Sequence, residues 1–422
     1  MKPSLRFPVC LGVWCALLAV LARPDALRSQ DAIGLSIADL PPVEFSKQVY
    51  QANPGPWGDL EYYYTYLEAP DSLIDLVAVP SQQTVWRFMG KTPEEVKALF
   101  NDLQLDDRLL AELVERSIWY INDEEVRVHP TADAIVNLPM PARQSIFAVL
   151  RQWEENPFHR APVIIESANV REWFADTGLS PEVAGTIESL SYKMGRSLAF
   201  SDVPYVLGKI TTDAEERSFM KALTRTRSLI LRLKVSPQMD FEQVADYWTA
   251  GYKNKDILPI LESVLRTQGV ERLDVAHLLP PTPRKHLYTY PPLSAGMSGR
   301  YPDCFWTSLN FFEFWPKDRY SDPEAVDRYT RSNFDPVKAP YQFGDMILII
   351  NPESQRAYHS CIYLADDIVY TKNGEHILRP WILMKFGDLM SRYAVDKQPV
   401  VQAWRKRKVS SDSVIPSVET TP

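Results

Sequence analysis

The sequence predicts an α+β protein, with an α-rich N-terminal domain followed by a smaller region, 300–395, that reads helix, loop, strand, strand and a final short element. Three observations predict it. Apolar residues recur at helical spacing over about 92–275. β-rich runs cluster at 346–350, 358–364 and 368–371. Proline-rich segments, Pro280-Pro281-Thr282-Pro283 and Pro291-Pro292, separate the two regions. With 422 residues, 45% apolar and 24% charged, the chain is long enough for two domains of about 100–200 residues each. A net charge of -8 excludes a general nucleic-acid binder.

Residues 1–26 read as an export signal. Lys2 and Arg6 precede an apolar core over 9–22 that is too short for a comfortable membrane span. An integral membrane protein is therefore expected only if this segment stays uncleaved. Residues 27–91 read as a linker or arm with one strand, Leu60-Glu61-Tyr62-Tyr63-Tyr64-Thr65-Tyr66-Leu67, whose tyrosines suit sheet packing. The α-rich domain spans 92–279. Thr92-Pro93-Glu94-Glu95 opens its first helix as a capping box with proline at the first turn. Further helices are expected over 106–121 and 141–154, from Ser180-Pro181 to Leu190, and from the second capping box Thr212-Asp213-Ala214-Glu215 to about Leu233. Two more fit 240–268. Residues 280–299 read as a linker, 300–395 as the second domain, and 405–422 as a disordered tail.

The chemistry concentrates after residue 300. Cys304 sits in Tyr301-Pro302-Asp303-Cys304-Phe305-Trp306, a turn running into an apolar helix. A thiol is a poor nucleophile until ionised, and a helix start or a neighbouring imidazolium favours its thiolate. His359 opens a strand that Ala365-Asp366-Asp367 turns back as a hairpin. Alternation places His359 and Cys361 on one face and Ile362 and Leu364 on the other. If His359 faces the Cys304 helix, Cys361 does too. An imidazole base also needs an orienting group. Asn373 is the first candidate and Thr371 the second. Lys372, on the opposite face, is kept as a substrate contact. No Cys-x-x-Cys, HExxH, P-loop or GxGxxG occurs, so no metal, cofactor or nucleotide is expected.

Asp303-Cys304 before an apolar helix, Gly344-Asp345 before an apolar strand, and His359-x-x-Ile362-Tyr363-Leu364 together resemble the NlpC-type branch of papain-like cysteine peptidases. The resemblance covers about 95 of the 422 residues. It implies a papain-like α+β fold over 300–395, with the helix carrying the cysteine packed on a small antiparallel sheet, and amide hydrolysis through a thioester, often in peptidoglycan stem peptides. It implies Cys304 as nucleophile and His359 as base, with the third polar position at Thr371. The expectation is an exported cysteine hydrolase acting on a peptide or peptidoglycan-type substrate in the cell envelope or outside the cell. Phe305-Trp306 stands where the family carries small residues, and Cys361 where it carries glycine. These departures motivate the alternative: a secreted binding or scaffold protein without turnover, stapled by a Cys304–Cys361 disulfide. A transferase or amidase acting on a lipid or small molecule uses the same residues.

Overall fold

Leucines alternate along Leu229, Leu231 and Leu233, and this period of two shapes the N-terminal half. The computed structural model describes residues 48–166, 170–194, 197–393 and 398–407, together with the backbone of Leu18–Ala19. Most of the expected export segment, residues 27–47 of the arm, and the tail beyond 407 lie outside the described residues. Strand β1 (Leu60–Leu67) precedes helix α1 (Asp213–Thr224), which stops at Arg225. Strand β2 (Thr226–Lys234) follows and pairs antiparallel with β1, from Thr226 opposite Leu67 to Leu233 opposite Leu60. The helix expected to reach Leu233 is thus corrected. Its second half is a strand because the alternating leucines bury against Leu60 and Tyr62, and Arg227 and Arg232 stack on Tyr64 and Tyr63.

The helix starts at Pro93 and Asp213 are capped by Thr92 and Thr212, and that at Pro181 by Ser180. The region between 92 and 279 is nevertheless more mixed than its apolar spacing implies. The helix expected over 106–121 ends in the π-turn Glu112–Arg116, and Ile118–Ile121 is a strand. It forms a three-stranded antiparallel sheet with Trp86–Met89 and Glu125–His129. A second such sheet joins Val163–Ile165, Tyr192–Met194 and Ser197–Phe200.

Residues 280–299, expected as a linker, contain the helix Pro281–His286, and Tyr288 donates its N–H to the Trp381 carbonyl at 2.8 Å. One buried core runs across this segment, joining Leu229, Leu231 and Trp248 to Phe305, Leu309 and Tyr370.

Beyond it lies helix α2 (Cys304–Leu309), followed by β3 (Phe334–Val337), β4 (Met346–Ile350), β5 (Arg356–Ala365), β6 (Ile368–Lys372), β7 (Trp381–Lys385), α3 (Phe386–Tyr393) and β8 (Val400–Lys406). These strands form an antiparallel sheet in the order β3-β8-β4-β5-β6-β7. Arg405 and Lys406, expected to begin the tail, belong to β8. Arg405 grips Asp345 with two hydrogen bonds of 2.7 Å. The fold is mixed α+β, with several antiparallel sheets.

Candidate active site

Register on β4 and β5 decides which side chains meet. Leu348 lies opposite Ser360 and Met346 opposite Ile362, while Ile347 lies opposite Cys361 and Ile349 opposite His359. Side chains alternate between faces, so β5 carries two distinct sets. Ser360, Ile362 and Leu364, with Tyr370 and Lys372 of β6, lie under α2. His359, Cys361 and Tyr363, with Val369 and Thr371, lie under α3.

Cys304 is the first residue of α2 and is 5% exposed. Asp303 caps the helix, its Oδ1 accepting the Trp306 N–H at 2.8 Å. Thr307 donates its hydroxyl to the Asp303 carbonyl at 2.6 Å and accepts the Trp381 indole N–H at 2.9 Å. The Ser360 hydroxyl donates to the Cys304 carbonyl at 3.0 Å and lies 2.6 Å from the Ser308 hydroxyl. Helix and sheet are thus fixed to one another around the cysteine by polar contacts as well as by packing.

Lys372 completes this face. Its side chain is fully buried, and Nζ donates to the carbonyls of Gly374 at 2.7 Å and His376 at 3.1 Å. Burial pulls its pKa down to about 7, against the pull of Asp303 and Cys304, whose negative charge favours the ammonium. Burial likewise pushes Asp303 up to about 6, opposed by the Trp306 N–H and by Lys372.

His359 stands on the far face. It is 1% exposed, its ring stacks on Tyr393 with centroids 4.4 Å apart, and Nε2 lies 3.0 Å from the Thr371 hydroxyl. Burial, aided by the charge of Arg392, lowers its pKa to about 3 and keeps it neutral. The expected pairing of His359 with Cys304 is corrected, because the sheet stands between them. Thr371, the second candidate, is the residue that touches His359. Asn373, ranked first, instead places its amide nitrogen 3.6 Å from the Met384 sulfur. Cys361 shares the His359 face and is completely buried, which pushes its thiol far above the ordinary range. Cys304 and Cys361 are not joined in a disulfide, so the staple of the alternative reading is not formed.

What the sequence reading missed is the association of Asp303, Cys304 and Lys372. One signal for it existed: Lys372 is in phase with Tyr370, on the face opposite Thr371 and Asn373. Among the described residues no group of His, Cys, Asp or Glu is arranged to hold a metal, and no helix is long and apolar enough to cross a membrane. No family model, curated protein or solved structure matches this chain.

Proposed function

We propose that the chain is an exported cysteine hydrolase of the papain-like, NlpC-type class that opens an amide bond in a peptide of the peptidoglycan type. One observation carries this reading. The Cys304 thiol, which is not in a disulfide, begins a helix seated on the antiparallel strands β5 and β6, the placement that the resemblance implies for the nucleophile. In the proposed reaction the sulfur attacks the amide carbonyl, the C–N bond breaks to leave a thioester, and water releases the acid. The backbone N–H of Cys304 is the proposed oxyanion donor. His359 does not serve this thiol from across the sheet, so the proton acceptor belongs on the α2 face.

A second reading is a secreted binding protein that keeps the arrangement without turnover. The seclusion of His359 and the 5% exposure of Cys304 favour it. The two readings part in one experiment: incubation of the full chain with wall-derived stem peptides and detection of new amino termini by mass spectrometry. Hydrolysis by wild type and its loss in Cys304→Ala support the enzyme. No cleavage, together with alkylation of Cys304 only above about pH 9, supports the binding protein.

A further inference from the structure

We propose that Lys372 is the group that takes the proton of the Cys304 thiol, a role the sequence pattern assigned to His359. The inference rests on the reading of Cys304 as a nucleophile. Two features of the α2 face support it. Lys372 lies on the strand face that packs against α2, beside Trp381, which it pairs with across β6 and β7 and whose indole holds Thr307 one turn into that helix. Asp303 and Cys304 are the two groups whose charges act most strongly on it. Its other charged and titratable neighbours are Glu375, His376 and Arg379 on the loop after β6.

Hydrogen counting supports the role. A neutral amine has two N–H bonds and one lone pair, whereas an ammonium has three N–H bonds and none. The carbonyls of Gly374 and His376 occupy two N–H bonds. Neutral Lys372 therefore satisfies both carbonyls and keeps a lone pair for a proton. Burial brings its pKa to about 7, where the neutral form is populated near neutrality.

Two imidazoles on this side each spend one ring nitrogen on the backbone, and His286 is therefore carried into the test below. His376 Nδ1 accepts the Leu378 N–H at 3.1 Å. His286 Nδ1 bonds the Thr282 carbonyl at 2.8 Å, and its ring packs on Trp306 and Trp381.

The step balances. The S–H bond of Cys304 breaks and an N–H bond forms on Lys372, giving thiolate and ammonium. The thiolate attacks the amide carbonyl, and the C–N bond breaks as the ammonium returns its proton to the leaving amine. Neutral Lys372 then takes a proton from the water that opens the thioester. As the C–S bond breaks, Cys304 leaves as thiolate and Lys372 as ammonium.

The test is the pH dependence of Cys304 alkylation by iodoacetamide in the full chain, read by mass spectrometry, for wild type, Lys372→Met, His286→Gln and His359→Gln. The expected result is a wild-type midpoint below the free-thiol value of about 8.5. Lys372→Met raises that midpoint and slows labelling at pH 7 by about tenfold or more, since one pKa unit is a tenfold change in thiolate. Neither histidine variant moves it. A midpoint that follows His286 or His359 instead overturns the assignment to Lys372 while leaving a nucleophilic Cys304. A Cys304 that labels in wild type only above about pH 9 overturns the nucleophile reading itself.

Lys372→Met removes a buried, twice-bonded group, so a second measurement covers its failure to fold. Lysine 15Nζ resonances are followed against pH in wild type and Cys304→Ala. A lysine that titrates near neutrality and shifts when the thiol is removed supports the proposal. No lysine titrating below about pH 9 overturns it.

Discussion

Replacing His359 with glutamine tests the electrostatics of the far face. His359 has a folded pKa of about 3 against an ordinary value of 6.5. The unfolded chain therefore binds a proton below pH 6.5 that the native state refuses, and stability is lost as pH falls from about 6.5 toward 3. At pH 5 the gap is 1.5 units below the ordinary value, or about 2 kcal/mol at ~1.4 kcal/mol per unit. Glutamine keeps a polar group for Thr371 and does not titrate. The assay is urea unfolding at pH 7 and pH 5 for both proteins. The drop in unfolding free energy from pH 7 to pH 5 should be about 2 kcal/mol larger in wild type than in His359→Gln. Only this difference is diagnostic. Asp202 and Asp303, raised by burial to about 6, gain native stability over the same interval, and His159, lowered to about 3, loses it. Equal drops refute the buried neutral imidazole. A smaller drop in wild type means that His359 has a raised pKa, the mark of an imidazolium–thiolate pair, and that the facial separation described above is wrong.

Two further substitutions probe the approach to β4. Gly344 has φ of +89°, and an added Cβ would lie 2.3 Å from the Phe312 ring. Gly344→Ala should cost more than about 2 kcal/mol, from left-handed strain plus the collision; a urea midpoint equal to wild type would contradict this. Arg405→Met leaves the 1% exposed Asp345 carboxylate without its bidentate partner. The expected loss is roughly 3 kcal/mol at neutral pH, the low end for a buried pair because Arg405 itself is one-third exposed. Unchanged stability in urea would show that solvent screens the contact.

Local signals in the sequence were strong where one rule governs one residue. Thr92, Ser180 and Thr212 cap helices because each hydroxyl accepts an N–H three positions on. The hairpin at Asp366-Asp367 and the alternation along β5 and β6 were equally readable, including the sharing of a face by His359 and Cys361. Two kinds of information were not local. Thr226–Lys234 is rich in leucine, arginine and lysine, all good helix formers, and only its tyrosine-rich partner β1 makes it a strand. The second is which face of the sheet receives α2. Both faces of β4 and β5 are buried, one under α2 and one under α3. A strand covered on both sides reads as a continuous apolar run and does not label its sides. Chain order alone paired His359 with Cys304.

The place of β8 has a consequence for synthesis. It lies between β3 and β4, although about 50 residues separate it from the end of β4. A chain growing from its N-terminus offers Met346–Ile350 as an unpaired edge until Val400–Lys406 has left the ribosome. Those five positions, Met-Ile-Leu-Ile-Ile, carry no charge and are all buried in the finished protein. Until β8 arrives they form a short apolar β-segment open to any other strand. Whatever holds the nascent chain apart from its neighbours must act over that interval, and a ribosome stalled between residues 350 and 400 releases a chain whose apolar edge stays open.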